Sequence, residues 1–284
     1  MSNASNRPRT PWEKLKDAWE HAKRKRNKSR GLPATEDVEI IANVLIQLRN
    51  VTELHLDQKI NATITAIPHL PGLTREDLED AMEYARLKLL QSYNFYGGVD
   101  EVSAAYAGLG NGLCHKPEDI KSCEDEEGNM RSYQVLSISF TNYMLSLRMS
   151  SCSAAHMCWD YNSEENSGLG LRFEHWYGAE LEYWAHVRRS IRRFAEVAWQ
   201  IDKLHVFGEA ASNGHFQEAL RGALRDLEPR VAFALGGSER MEPLSLAARG
   251  AAEFAKRFQV MTWGCKEPSS CNETEAAGKP VADL

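Results

Sequence analysis

LHVFGEAASNGHFQEALRGAL, residues 204–224, runs from an apolar segment through a glycine turn into an amphipathic helix. Lys203–Phe207 spells a strand, Gly208 its turn, and Phe216, Leu220 and Leu224 the buried face of a helix over 214–226. Upstream, the spacing of Tyr177, Leu181, Trp184, Ile191, Ala195 and Ala198 predicts the longest helix of the chain, over about 175–200. Arg188, Arg189, Arg192 and Arg193 on it read as a solvated face balanced by Glu182 and Glu196. Before that helix, Val135, Ser137 and Ser139 alternate with Leu136, Ile138 and Phe140. This begins two or three consecutive strands over 133–160, expected to pair as antiparallel hairpins. Residues 111–131, polar and holding Gly112, Pro117 and Gly128, read as a surface loop.

The amino-terminal part repeats the mixture of helix and strand. Trp12, Leu15 and Trp19 lie on a helix over 11–27 that ends in the basic run His21–Arg30, read as a solvated helix end or linker. Thr35 caps a second helix, with Val38, Ile41, Leu45 and Leu48 on one face. A short strand at Ala62–Ile67 is closed by Pro68, and Thr74 and Asp77 form a capping box. A small-residue helix starts at Ser103. At the other end, a short strand near Arg230–Leu235 precedes an alanine-rich helix over 243–258, and the tail after Trp263 reads as disordered. The alternation predicts an α/β chain with helices packed on a sheet.

Composition narrows the classes of function. The chain has 284 residues, 43% hydrophobic and 26% charged, with a net charge of -6. It is long enough for a substantial core, and its balance argues against a nucleic-acid partner on electrostatic grounds. No stretch reaches the roughly 20 apolar residues of a membrane span, and the start lacks the apolar segment of a secretory signal. The expectation is a cytoplasmic or nuclear protein, with its six cysteines as free or buried thiols and no metal site. The histidines have no acid at triad or ligand spacing, and no other catalytic constellation stands out.

Four segments in order carry a resemblance. They are NATITAIP (61–68) followed by REDLEDAMEYARLKLL (75–90), DEVSAAYAGLG (100–110), the opening stretch 204–224, and PLSLAARGAAEFAKR (243–257). Together they resemble the actin-like ATPase domain of the seventy-kilodalton heat-shock chaperones, and more closely its divergent fungal relatives, over roughly residues 35–260. The resemblance implies a lead at 1–34, a first lobe at 35–132, a second at 133–260 with a reduced small subdomain, and a tail at 261–284. It also implies ATP with magnesium as the family's ligand, Glu101 at the catalytic carboxylate position, and Gly208 and Glu209 in the adenosine turn.

The departures decide the functional expectation. Nothing before residue 61 is similar to the family's opening phosphate loop or its following lysine. The second phosphate loop is replaced by Ser137-Ile-Ser-Phe-Thr-Asn142, without glycine to close amides round a phosphate or aspartate to hold magnesium. Phe140 is expected to fill the phosphate's space, and Glu209 to set a carboxylate beside an anionic ligand. Glu101 alone cannot perform phosphoryl transfer, which needs metal and cationic groups, and a capping or ion-pairing role suits it equally. The reading is an incomplete, degenerate actin-like fold acting as a non-catalytic interaction or regulatory module, through a protein partner or self-association. The alternative is a nucleotide-binding protein or weak chaperone-like ATPase.

Overall fold

The computed structural model describes residues 10–68, 72–90, 98–177, 180–225, 227 and 242–260. Helix α1 (Pro11–Ser29) starts at a Thr10–Glu13 capping box, and α2 (Glu36–Leu56) at Thr35, whose hydroxyl accepts from the Val38 amide. Two short strands, β1 (Ala62–Thr63) and β2 (Ala66–Ile67), precede α3 (Arg75–Tyr84), which opens on the expected Thr74–Asp77 box. Strand β3 (Lys88–Leu89) pairs with β1, and β4 (Val99–Asp100) with β2, both parallel. Val38 and Ala42 of α2 pack against Leu78, Ala81 and Met82 of α3 to form a separate small core.

After α4 (Glu101–Gly108) and α5 (Ile120–Gly128), the chain builds its main sheet. Strands β5 (Tyr133–Phe140), β6 (Leu145–Cys152) and β7 (Cys158–Asn166) form an antiparallel meander. A 3-10 turn at Leu171–Trp176 leads into α6 (Glu180–Glu196), then β8 (Lys203–Phe207) and α7 (Gly214–Arg225). Strand β8 lies parallel to β5, giving the order β7-β6-β5-β8. Helix α8 (Leu246–Val260) returns to pack on α4.

The period of two along β5 sorts the layers. Leu136, Ile138 and Phe140 join Tyr183, Ile191, Phe216 and Leu224 in one core beneath α6 and α7. Val135 belongs instead to the core of α4 and α8, with Tyr106 and Phe254. That face also carries the buried Ser137, Ser139 and His205; Ser137 and His205 are register partners, and the His205 ring lies 5.6 Å from Tyr106. Burial pushes His205 down to about 3, so it stays neutral. One face of the sheet is therefore apolar, while the other mixes Ser137, Ser139 and His205 with Val135 and Phe207.

Several expectations change. The strand 62–67 divides in two at Ile64 and Thr65, because its halves pair with different partners. The longest described helix is α2, with 21 residues, rather than α6, with 17. Leu181 faces solvent, and Tyr183, Val187 and Phe194 supply the seam instead. The loop 111–131 contains α5, which Asp119 caps on the Ser122 amide. The basic run is not merely solvated: Arg24 Nη1 lies 2.8 Å from Asp77 and its Nη2 2.7 Å from Asp80, while Lys28 reaches Asp80 and Glu83. The expected free thiols are corrected for four cysteines, since Cys114–Cys123 and Cys152–Cys158 are disulfides. The second pair follows from register, which sets Cys152 directly opposite Cys158. The expected strand near 230–235 and the tail lie outside the described residues.

Candidate functional site

A cleft of about 520 Å³ opens where the ends of four segments meet. Its walls are the start of α4, the β5–β6 turn, the β8–α7 turn and the first residues leading into α8; Glu101, Thr141, Tyr143, Gly208 and Glu209 all face it. Glu101 and the adjacent Gly208 and Glu209, singled out from two distant stretches of sequence, thus line a common space. The cleft contains two glutamates and, among the described residues that line it, no lysine, arginine or histidine.

The β5–β6 turn is closed upon itself. The Thr141 amide donates to Met144 O at 3.0 Å, and the Tyr143 and Met144 amides donate to Thr141 Oγ1 at 3.2 and 3.0 Å. The remaining amide, Asn142, donates to Glu209 Oε1 at 2.8 Å. A carboxylate from the neighbouring turn therefore occupies the donor that would be available to an anionic ligand. Gly208 has φ +106°, and a Cβ there would stand 2.4 Å from Phe140 O, so close packing against β5 requires glycine. Phe140 does not enter the cleft. Its ring is fully buried, stacked 4.2 Å from Phe216 and edge-on to Trp184.

Glu101 opens α4 just after Asp100, whose carboxylate caps the helix by accepting from the Val102 and Ser103 amides. The other Asp100 oxygen lies 3.4 Å from Arg148 Nη1, which also reaches Asp160 at 3.1 Å. Ser150 Oγ donates to Asp160 at 2.5 Å. Burial, and then the charge of Asp100, push the Glu101 carboxyl from 4.5 up to about 7. The folded state therefore holds this proton more tightly than the unfolded chain. Stability from it is complete below the unfolded value and is lost as pH rises through about 7. Glu101→Gln is expected to remove that loss and to raise stability at pH 8 by about 1–2 kcal/mol, the effect being reduced by partial exposure. Thermal melts of both proteins between pH 5 and 8 check this; parallel profiles would refute it.

The sequence reading did not find the Asp100–Arg148–Asp160 cluster. Arg148 and Asp160 meet only through β6–β7 pairing, and the alternation of β6 was the one available hint that Arg148 points inward. The cluster can hold the start of α4 against the sheet, but its cation is engaged by two acids. No magnesium ligand set is formed by Glu101 and Glu209 with other described residues. No protein-family model and no curated protein matches this chain. Among the described residues, no helix is long and apolar enough to cross a membrane.

Proposed function

We propose that this chain is a non-catalytic interaction or regulatory module built on a degenerate actin-like ATPase scaffold. The observation that carries the reading is the turn 141–144, whose four amides are all engaged within the protein, one of them by Glu209. A phosphate entering there would have to displace a carboxylate and approach a second one at Glu101, without a lysine or arginine among the described cleft residues. The scaffold around the turn is nevertheless well packed, which suits a protein kept for its surfaces. One such surface is on α2, where Ile40, Val44, Leu48 and Val51 are each at least half exposed along one face. A protein partner or a second copy would cover it.

The cleft itself favours the second reading, a nucleotide-binding protein, since it gathers Glu101, Gly208 and Glu209 in one space. Calorimetric titration with magnesium-ATP and with ADP separates the two. Protein shown to be folded by circular dichroism is expected to release no heat at millimolar nucleotide. Micromolar binding would support the second reading, and turnover lost in Glu101→Gln would overturn the non-catalytic one.

A further inference from the structure

Near the carboxy-terminal end of α8, where Arg257 reaches Cys114, α5 and the loop before it enclose a small group of metal-ligand residues. Cys123 and Glu127 are one helical turn apart on α5 and share its inner face. Cys114 is brought beside them by the preceding loop, which is latched twice. His115 binds Glu126 through both its amide and its ring, and Cys114 O accepts from Arg257 Nη1 at 2.6 Å. The ligand atoms of Cys114, Cys123 and Glu127 lie within 4.8 Å of one another, and the three residues are only 1%, 1% and 6% exposed.

A structural disulfide has no need of an acid at its side. Yet Glu127 Oε2 is buried without a hydrogen-bond partner, its neighbour His156 Nδ1 standing off at 3.6 Å. Such an oxygen is costly to bury unless something else binds it. Two thiolates and a carboxylate form a donor set that suits a zinc-class ion and discriminates against magnesium or calcium. They carry three negative charges, of which a divalent ion would balance two. Arg257, with Nη1 3.5 Å from Cys114 Sγ and Nε 3.8 Å from the partly exposed Glu253, lies where it offsets the third.

We propose that Cys114, Cys123 and Glu127 form a redox-gated binding site for a zinc-class divalent cation. In the disulfide form the sulfurs are bonded to each other and cannot ligate. Two equivalents of a monothiol reductant supply two electrons and two protons, giving two thiols and one reductant disulfide. The ion then displaces both thiol protons and binds two thiolates and the Glu127 carboxylate. The fourth position is taken by water, and His156, 3.6 Å from the same Glu127 Oε2, helps to orient the carboxylate.

Cobalt(II) is the probe, added to the full chain before and after reduction with a phosphine that is then removed. The reduced chain is expected to take up one cobalt with thiolate-to-cobalt charge-transfer absorption, and the disulfide form none. Cys123→Ser abolishes the band, whereas Cys158→Ser keeps it. Glu127→Gln retains the wild-type circular dichroism but weakens cobalt binding about tenfold or more. The proposal is overturned by a reduced wild type without the band, by a band that survives in Cys114→Ser/Cys123→Ser, or by unchanged affinity in Glu127→Gln. If Cys123→Ser does not fold, the Glu127→Gln titration still decides.

Discussion

Gly250→Ala is expected to separate α8 from α4 and to destabilise the chain by about 4 kcal/mol or more, among the largest effects of a single added methyl group. A Cβ at residue 250 would lie 1.7 Å from Ala104 O, 2.6 Å from Ala104 C and 2.7 Å from Gly108 N. These are backbone atoms of the opposing helix, so no side-chain rotation relieves the clash. Gly108 meets α8 in the same way, its added Cβ standing 2.2 Å from Leu246 O. Backing the helices apart would also expose Leu246, Ala251 and Phe254, which are now buried. Gly214→Ala is the control, because nothing lies within 4 Å of the new carbon. Its expected change is within about 1 kcal/mol. Thermal and denaturant unfolding of both variants measure the contrast; a Gly250→Ala protein as stable as the control would disprove the close crossing.

Arg148→Met is the second large effect, expected to cost about 3–5 kcal/mol at neutral pH. The Arg148 side chain is 5% exposed and lies between Asp100 and Asp160. Methionine keeps much of its length but leaves two acids facing each other across the end of the sheet. The loss has a direction with pH. Burial and the nearby Asp160 already push the Asp100 carboxyl up to about 6, so protonation relieves the repulsion as pH falls through that value. The variant should therefore lose less stability at pH 5 than at pH 8. Arg148→Met/Asp160→Asn is expected to recover part of the loss, and denaturant titrations of the single and double variants supply the comparison. Equal destabilisation at both pH values would show that the side chain acts by packing rather than by charge.

Local chemistry made much of the architecture legible. Alternation along 133–140 marked β5, and Gly208 marked the end of β8. The threonine caps at 35 and 74 placed two helix starts to the residue. What escaped depends on pairing over distance. Strands of two residues carry no period, so the division at Ile64 and Thr65 left no trace. Arg24 and Asp77 are 53 residues apart, and their meeting is decided by how α1 lies on α3. Cys114 and Cys123 had no motif spacing, and α5, which carries Cys123, is too short and polar to show a strong apolar repeat.

At the candidate site the positions were legible but their roles were not. Glu101, Gly208 and Glu209 do face one cleft, yet none of the three needs a nucleotide to explain it there. Gly208 answers to β5, Glu209 to the Asn142 amide, and Glu101 to the start of α4. Phe140 was expected to fill the phosphate's space because 137–142 stands where the resemblance puts the second phosphate loop; its place at the end of β5 instead keeps the inward phase of Leu136 and Ile138.

Helix α1 has a different kind of attachment from the rest of the molecule. It contains no buried residue, and Trp12, Leu15 and Trp19 all point to solvent, while Arg24 and Lys28 clasp the acids of α3. The Arg24, Asp77 and Asp80 side chains are only 14%, 12% and 6% exposed, and charges so covered are screened by salt far less than open ones; Lys28 and Glu83, at 35% and 66%, are the open pair. The grip of α1 on the rest of the protein is thus a buckle of covered charges, whose outer pair loosens in salt while the inner ones hold.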